Sequence, residues 1–72
     1  MTGHYRVTDK NGHEIRKGDI VTSFRGEAHT FVMVSRGPEY NGTAKVIVRN
    51  PANASRTLEY YERVFDLKVE AV

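Results

Sequence analysis

The chain has 72 residues, no cysteine, and 11 basic against 9 acidic side chains, for a net charge of +2. That length gives one domain, residues 1–72, with room for only a modest core. The missing thiols exclude disulfides and thiolate metal sites. With 39% apolar and 28% charged residues, the chain reads as folded rather than disordered. Its mild positive charge permits nucleic-acid binding without demanding it. No apolar run approaches the length of a membrane span, and the N-terminus carries no hydrophobic signal region, so no membrane association is expected.

The first element is β-prone, His4-Tyr5-Arg6-Val7-Thr8. Asp9-Lys10-Asn11-Gly12 then makes a turn, with Asp at its first position and Asn-Gly where a positive φ is wanted. His13-Glu14-Ile15-Arg16 returns antiparallel. The two arms form an N-terminal hairpin laid against a barrel, with Val7 and Ile15 inward.

Lys17-Gly18-Asp19-Ile20-Val21-Thr22-Ser23-Phe24-Arg25-Gly26-Glu27 is a turn, a short strand and a second turn. Its centre is β-branched or aromatic and suits a pleated, half-buried surface. Residues 20–24 are expected to open the barrel. A second strand, 29–35, is apolar on both faces, with Thr30, Val32 and Val34 on one side and His29, Phe31 and Met33 on the other. A loop rich in Gly, Pro and Asn-Gly covers residues 36–42. In the third strand, 43–49, Ala44, Val46 and Val48 face inward.

A second loop spans 50–55. Residues 56–64 admit a helix, with Leu58, Tyr61 and Phe65 as its stripe and Ser55 as its cap. The short span and its Thr and Tyr residues favour a fourth strand to Tyr60, followed by one helical turn near 61–64. In Phe65-Asp66-Leu67-Lys68-Val69-Glu70 the alternation puts Phe65, Leu67 and Val69 in the core. The expected fold is therefore all-β: a small five-stranded SH3-like barrel with an N-terminal β-hairpin. Closure would remove the exposed edges of a small sheet.

Gly18-Asp19-Ile20-Val21 through Gly26 resembles the opening of KOW-type and related SH3-like modules, many of which bind RNA, DNA or proteins of the ribosome and transcription. Thr30 stands about where such a motif carries a further glycine. A broader resemblance rests on Asp9-Lys10-Asn11-Gly12, Gly18-Asp19-Ile20-Val21, Phe24-Arg25-Gly26-Glu27, Gly42-Thr43-Ala44-Lys45-Val46 and Tyr60-Tyr61-Glu62-Arg63-Val64-Phe65-Asp66-Leu67. Together these look like small proteins encoded by bacteriophages of actinobacteria. The resemblance implies a phage accessory protein acting in the host cytoplasm, and it supplies no functional residues.

Three histidines, His4, His13 and His29, are scattered without ligand spacing, so no metal or other cofactor is expected. Ser23, Ser35 and Ser55 lack a nucleophile-elbow frame and a His partner. Carboxylates pair with bases along the strands. No constellation meets the requirements of an active site, and a non-enzymatic role follows.

Two surfaces remain. Phe31, Met33, Tyr40 and Tyr61 are the candidate contacts for a protein partner, where aromatic residues concentrate binding energy. Arg25, Arg36, Arg49 and Arg56 all lie at strand ends and would form a basic rim if the loops converge; Arg25 and Arg36 can instead pair with Glu27 and Glu39. The leading expectation is an interaction module for a host or phage protein. The alternatives are a nucleic-acid-binding module using the arginine-rich loops, a minor structural protein, or a homo-oligomer.

Overall fold

The computed structural model describes residues 5–38 and 42–71, with backbone alone at Asn53 and Ala54. Its described part holds seven strands: β1 Tyr5–Thr8, β2 Glu14–Ile15, β3 Ile20–Thr22, β4 Ala28–Arg36, β5 Lys45–Asn50, β6 Asn53–Tyr61 and β7 Lys68–Ala71. A single 3-10 turn, Glu62–Phe65, joins β6 to β7. The segment 56–64, which admits either a helix or a strand, is strand to Tyr61, and the helical turn starts one residue later than expected.

All strand pairing is antiparallel. One sheet has the order β2-β1-β7 and the other β3-β4-β5-β6. The expected closed barrel is not formed. Val7 of β1 pairs with both Ile15 of β2 and Val69 of β7. The N-terminal hairpin therefore takes the last strand into its own sheet, where closure would require that strand to pair within the larger one. The hairpin is a structural part of the fold and not a cover laid outside it.

The two sheets meet over one core. Val7, Val21, Phe31, Ala44, Val46, Val48, Phe65, Leu67 and Val69 are buried, with Tyr5, Ile15, Val34, Leu58, Tyr60 and Val64 packed against them. Burying each large apolar side chain stabilises the fold by about 1.5–3 kcal/mol. Where the sheets part, beside the hairpin, two open hollows of about 440 and 370 Å³ remain.

Strand β4 departs most from its expected alternation. Phe31 lies opposite Val48, Met33 opposite Ile47, Val34 opposite Val46, and Arg36 opposite Lys45. Val32 and then Ser35 are each an extra residue against β5, as in a β-bulge. The first bulge leaves Phe31 facing the core and turns Met33 outward; Val34 then faces inward again. Phe31 and Met33 are two residues apart, yet they lie on opposite faces.

Two turns are built alike. In the first, Asp9 Oδ1 accepts the amides of Asn11 and His13, both at 2.9 Å, while Gly12 N–H donates to Asp9 O at 3.0 Å and Asp9 N–H to His13 O at 2.9 Å. In the second, Ser23 Oγ accepts the amides of Arg25 and Glu27 at 3.3 and 3.2 Å, Gly26 N–H donates to Ser23 O, and Ser23 N–H to Glu27 O. The glycine alone is left-handed in each, at φ 84° for Gly12 and 82° for Gly26. Asn11 keeps a negative φ, so the hairpin closes with a bulged type I turn and not the mirror-image one that Asn-Gly suggests.

The Asp9 carboxyl is held below the ordinary aspartate value, first by the His13 backbone amide; the Asn11 amide and the nearby His13 ring, 3.5 Å away, act in the same direction. A depressed folded-state value gives stability that is present above the unfolded value and is lost as pH falls through the folded one. Asp9→Ser keeps an oxygen for both amides, as Ser23 does, but carries no charge. Its urea midpoint should therefore fall less between pH 7 and pH 3 than that of the wild type; an equal fall would show that the carboxylate does not hold the turn.

Candidate interaction surface

The larger sheet has one face on the core and one in solvent, which is the common arrangement for an antiparallel sheet. Across the outer face run three rows fixed by register. Ile20, Thr30, Arg49 and Thr57 form the first; Met33, Ile47 and Glu59 the second; Arg36, Lys45 and Tyr61 the third. Met33 is 54% exposed and Tyr61 45%, while Ile47 between them is half-buried. Lys45 Nζ stands 5.2 Å from the Tyr61 ring centroid, within cation–π range. Ser35, re-aimed by its bulge, reaches across β5 and donates to Glu59 Oε2 at 2.5 Å.

The edge of this sheet is β6. Glu62 N–H donates to Ala44 O at 3.1 Å, and the Ala44 amide is taken by the Glu62 carboxylate. Hydrogen-bonded and non-bonded pairs alternate along an antiparallel ladder. The bonded pairs with β5 are therefore Val46 with Tyr60 and Val48 with Leu58. Thr57, Glu59 and Tyr61 fall between them and turn their backbone N–H and C=O away from the sheet. No other strand of the described chain adjoins β6.

The candidate residues are distributed unevenly over this geometry. Met33 and Tyr61 share the outer face. Phe31 does not: it is 5% exposed and belongs to the core, because the Val32 bulge separates its orientation from that of Met33. It is withdrawn as a contact residue. Tyr40 lies outside the described residues. The four arginines do not converge on one rim. Arg25 sits in the β3–β4 turn, its guanidinium 5.7 Å from the Phe24 ring centroid. Arg36 is at the opposite end of β4, next to Lys45. Arg49 is on the outer face between Thr30 and Thr57, and Arg56 adjoins Thr57 in β6, where alternation turns it to the other face. Antiparallel strands place successive ends at opposite edges of a sheet, so adjacency to loops does not imply a shared rim.

The histidines separate as well. His13 is in the hairpin turn, whereas His29 is a core residue in edge-to-face contact with Tyr60 and Phe65 at ring-centroid distances of 5.8 and 5.5 Å. Its Nδ1 is buried with no hydrogen-bond partner. Ser23 is occupied as the acceptor of the β3–β4 turn. The described residues contain no group of three or more His, Asp or Glu that could hold a metal ion, and none of their helices is long and apolar enough to cross a membrane. Phe24, expected in a strand, sits instead in the turn and is, among the described residues, the most exposed large apolar side chain, at 72%. No protein-family model, curated protein or solved structure matches the chain.

The β6 edge is the feature that sequence reasoning passed over. Its signal is thin: Thr57, Glu59 and Tyr61 alternate with Leu58 and Tyr60 over a span without proline. That pattern marks a half-buried strand but does not say whether a neighbour covers its far side.

Proposed function

We propose that the protein is a non-enzymatic interaction module, an open relative of the SH3-like modules. In this reading it serves as a phage-type accessory protein in the host cytoplasm and docks a host or phage protein on the outer face of the β3–β6 sheet. The 3-10 turn before the last strand supports the SH3-like relation. The observation that carries the docking surface is the exposure of Met33 and Tyr61 on one face, with Ile47 between them and three cations, Arg36, Lys45 and Arg49, around them. Aromatic and Met side chains at the centre with arginine at the margin match the composition of protein interfaces. Arg49 has no ion-pair partner among the described residues and suits a carboxylate from the partner. Dispersal of the arginines over both faces and both ends favours a protein partner over a phosphate backbone, which needs a continuous basic track. The mechanism is occlusion or recruitment by surface contact.

Affinity capture from actinobacterial lysate tests this reading, with Met33→Ser and Tyr61→Ser as comparisons and circular dichroism to verify their fold. Partners held by the wild type should be lost from both variants. Equal recovery by all three proteins would remove this face from consideration.

A further inference from the structure

The β6 edge points to a second copy of this chain. We propose that two molecules pair antiparallel through β6, about an axis at Leu58, and join their larger sheets into one of eight strands.

The observations that select this occupant are the direction of the free backbone groups and the self-complementarity of one register. Thr57, Glu59 and Tyr61 present their N–H and C=O groups outward, whereas Leu58 and Tyr60 spend theirs on β5. An incoming strand must therefore place its own outward-facing residues opposite these. A two-fold pairing centred on Leu58 does so. It sets Thr57 against the second copy's Glu59 and Glu59 against its Thr57, with two backbone bonds at each of these pairs.

The side chains agree with that register. On the outer face the Thr57 hydroxyl meets the Glu59 carboxylate from each direction. On the inner face Leu58 meets Leu58, and Arg56 meets Tyr60, a cation–π pair. Shifting the axis by one residue to Glu59 puts two carboxylates directly opposite each other, which is destabilising. From Thr57 to Tyr61 the edge keeps regular register with β5 and contains no proline, and the bulge in the ladder falls before it, between Arg49 and Asn50. The joined sheet would bring two copies of the Met33, Ile47 and Tyr61 row onto one continuous surface.

Sedimentation of the purified chain alone reads this assembly, independently of any partner at the outer face. At about 1 mM chain, where even millimolar association is about half populated, the wild type should sediment as a monomer–dimer mixture. Thr57→Pro and Glu59→Pro each remove an outward-facing amide and no ladder bond to β5, Glu59→Pro losing the Ser35 hydroxyl contact as well, and each should leave a folded monomer. Thr57→Lys places an ammonium opposite the partner copy's Glu59 and should tighten the dimer severalfold. A wild type that stays monomeric, a dimer that survives both proline variants, or a Thr57→Lys protein that dissociates more readily would each overturn the proposal.

Discussion

Phe31→Ala should destabilise the protein by about 3–5 kcal/mol, while Met33→Ala should change its stability by less than about 0.5 kcal/mol. The two side chains are close in sequence, apolar and in one strand. Their difference comes from the bulge at Val32, which leaves Phe31 at 5% exposure and Met33 at 54%. Truncating Phe31 loses its burial and leaves a cavity opposite Val48 in the one buried cluster, which a small core cannot collapse to fill. A chain of this length holds roughly 4–11 kcal/mol in total, so the variant should be largely unfolded at moderate urea. Urea unfolding of both variants gives the comparison, and a greater loss at Met33 would mean that β4 is not bulged.

Proline substitution along β6 should give the second large difference. The Leu58 amide is bonded to buried Val48, so Leu58→Pro removes a ladder bond and leaves a buried carbonyl unsatisfied, at about 1–3 kcal/mol. Loss of the Leu58 side chain against the core adds about 2 kcal/mol. The Thr57 amide points to solvent, and a strand edge accepts proline there. Arg56, the residue before it, is already extended, as a residue preceding proline must be. Thermal unfolding should show Thr57→Pro within about 1 kcal/mol of wild type and Leu58→Pro at least about 3 kcal/mol below it. The reverse order would shift the β5–β6 ladder by one residue.

Local order was legible wherever one face is buried and the strand keeps its phase. Val46 and Val48 follow their alternation into the core; Phe65, Leu67 and Val69 reach it as well, but not as one strand, because Phe65 ends the 3-10 turn, Asp66 is left-handed at φ 54°, and β7 begins only at Lys68. The turns at Gly12 and Gly26 follow from an Asp or Ser placed three residues earlier, whose oxygen collects two amides. Strand β4 was not legible, because a run that is apolar at every position offers no alternation to read, and two bulges change its phase without changing its composition. Closure was not legible either. Which strand Val69 chooses is decided by contacts more than sixty residues distant in sequence, at Val7, and neither segment carries a mark of its partner.

The candidate site shows the same division. That Tyr60 and Tyr61 face opposite ways follows from strand geometry alone. That Tyr61 is the exposed one requires the register with Lys45. Arg36 does lie at a strand end, Arg25 in the turn between two strands and Arg49 one residue from an end, but Arg56 sits well inside β6, and which ends share an edge is a property of the assembled sheet.

The outer-face surface and the β6 pairing both require a sheet whose last strand has an uncovered side. Amide hydrogen exchange at Leu58, Tyr60, Thr57, Glu59 and Tyr61, followed by NMR in dilute solution where the chain is monomeric, tests this most directly. The structure predicts alternation, with Leu58 and Tyr60 protected and Thr57, Glu59 and Tyr61 exchanging at nearly unprotected rates. Uniform protection of all five amides would mean that another strand covers β6, and the open two-sheet fold and the surface assigned to it would both be contradicted.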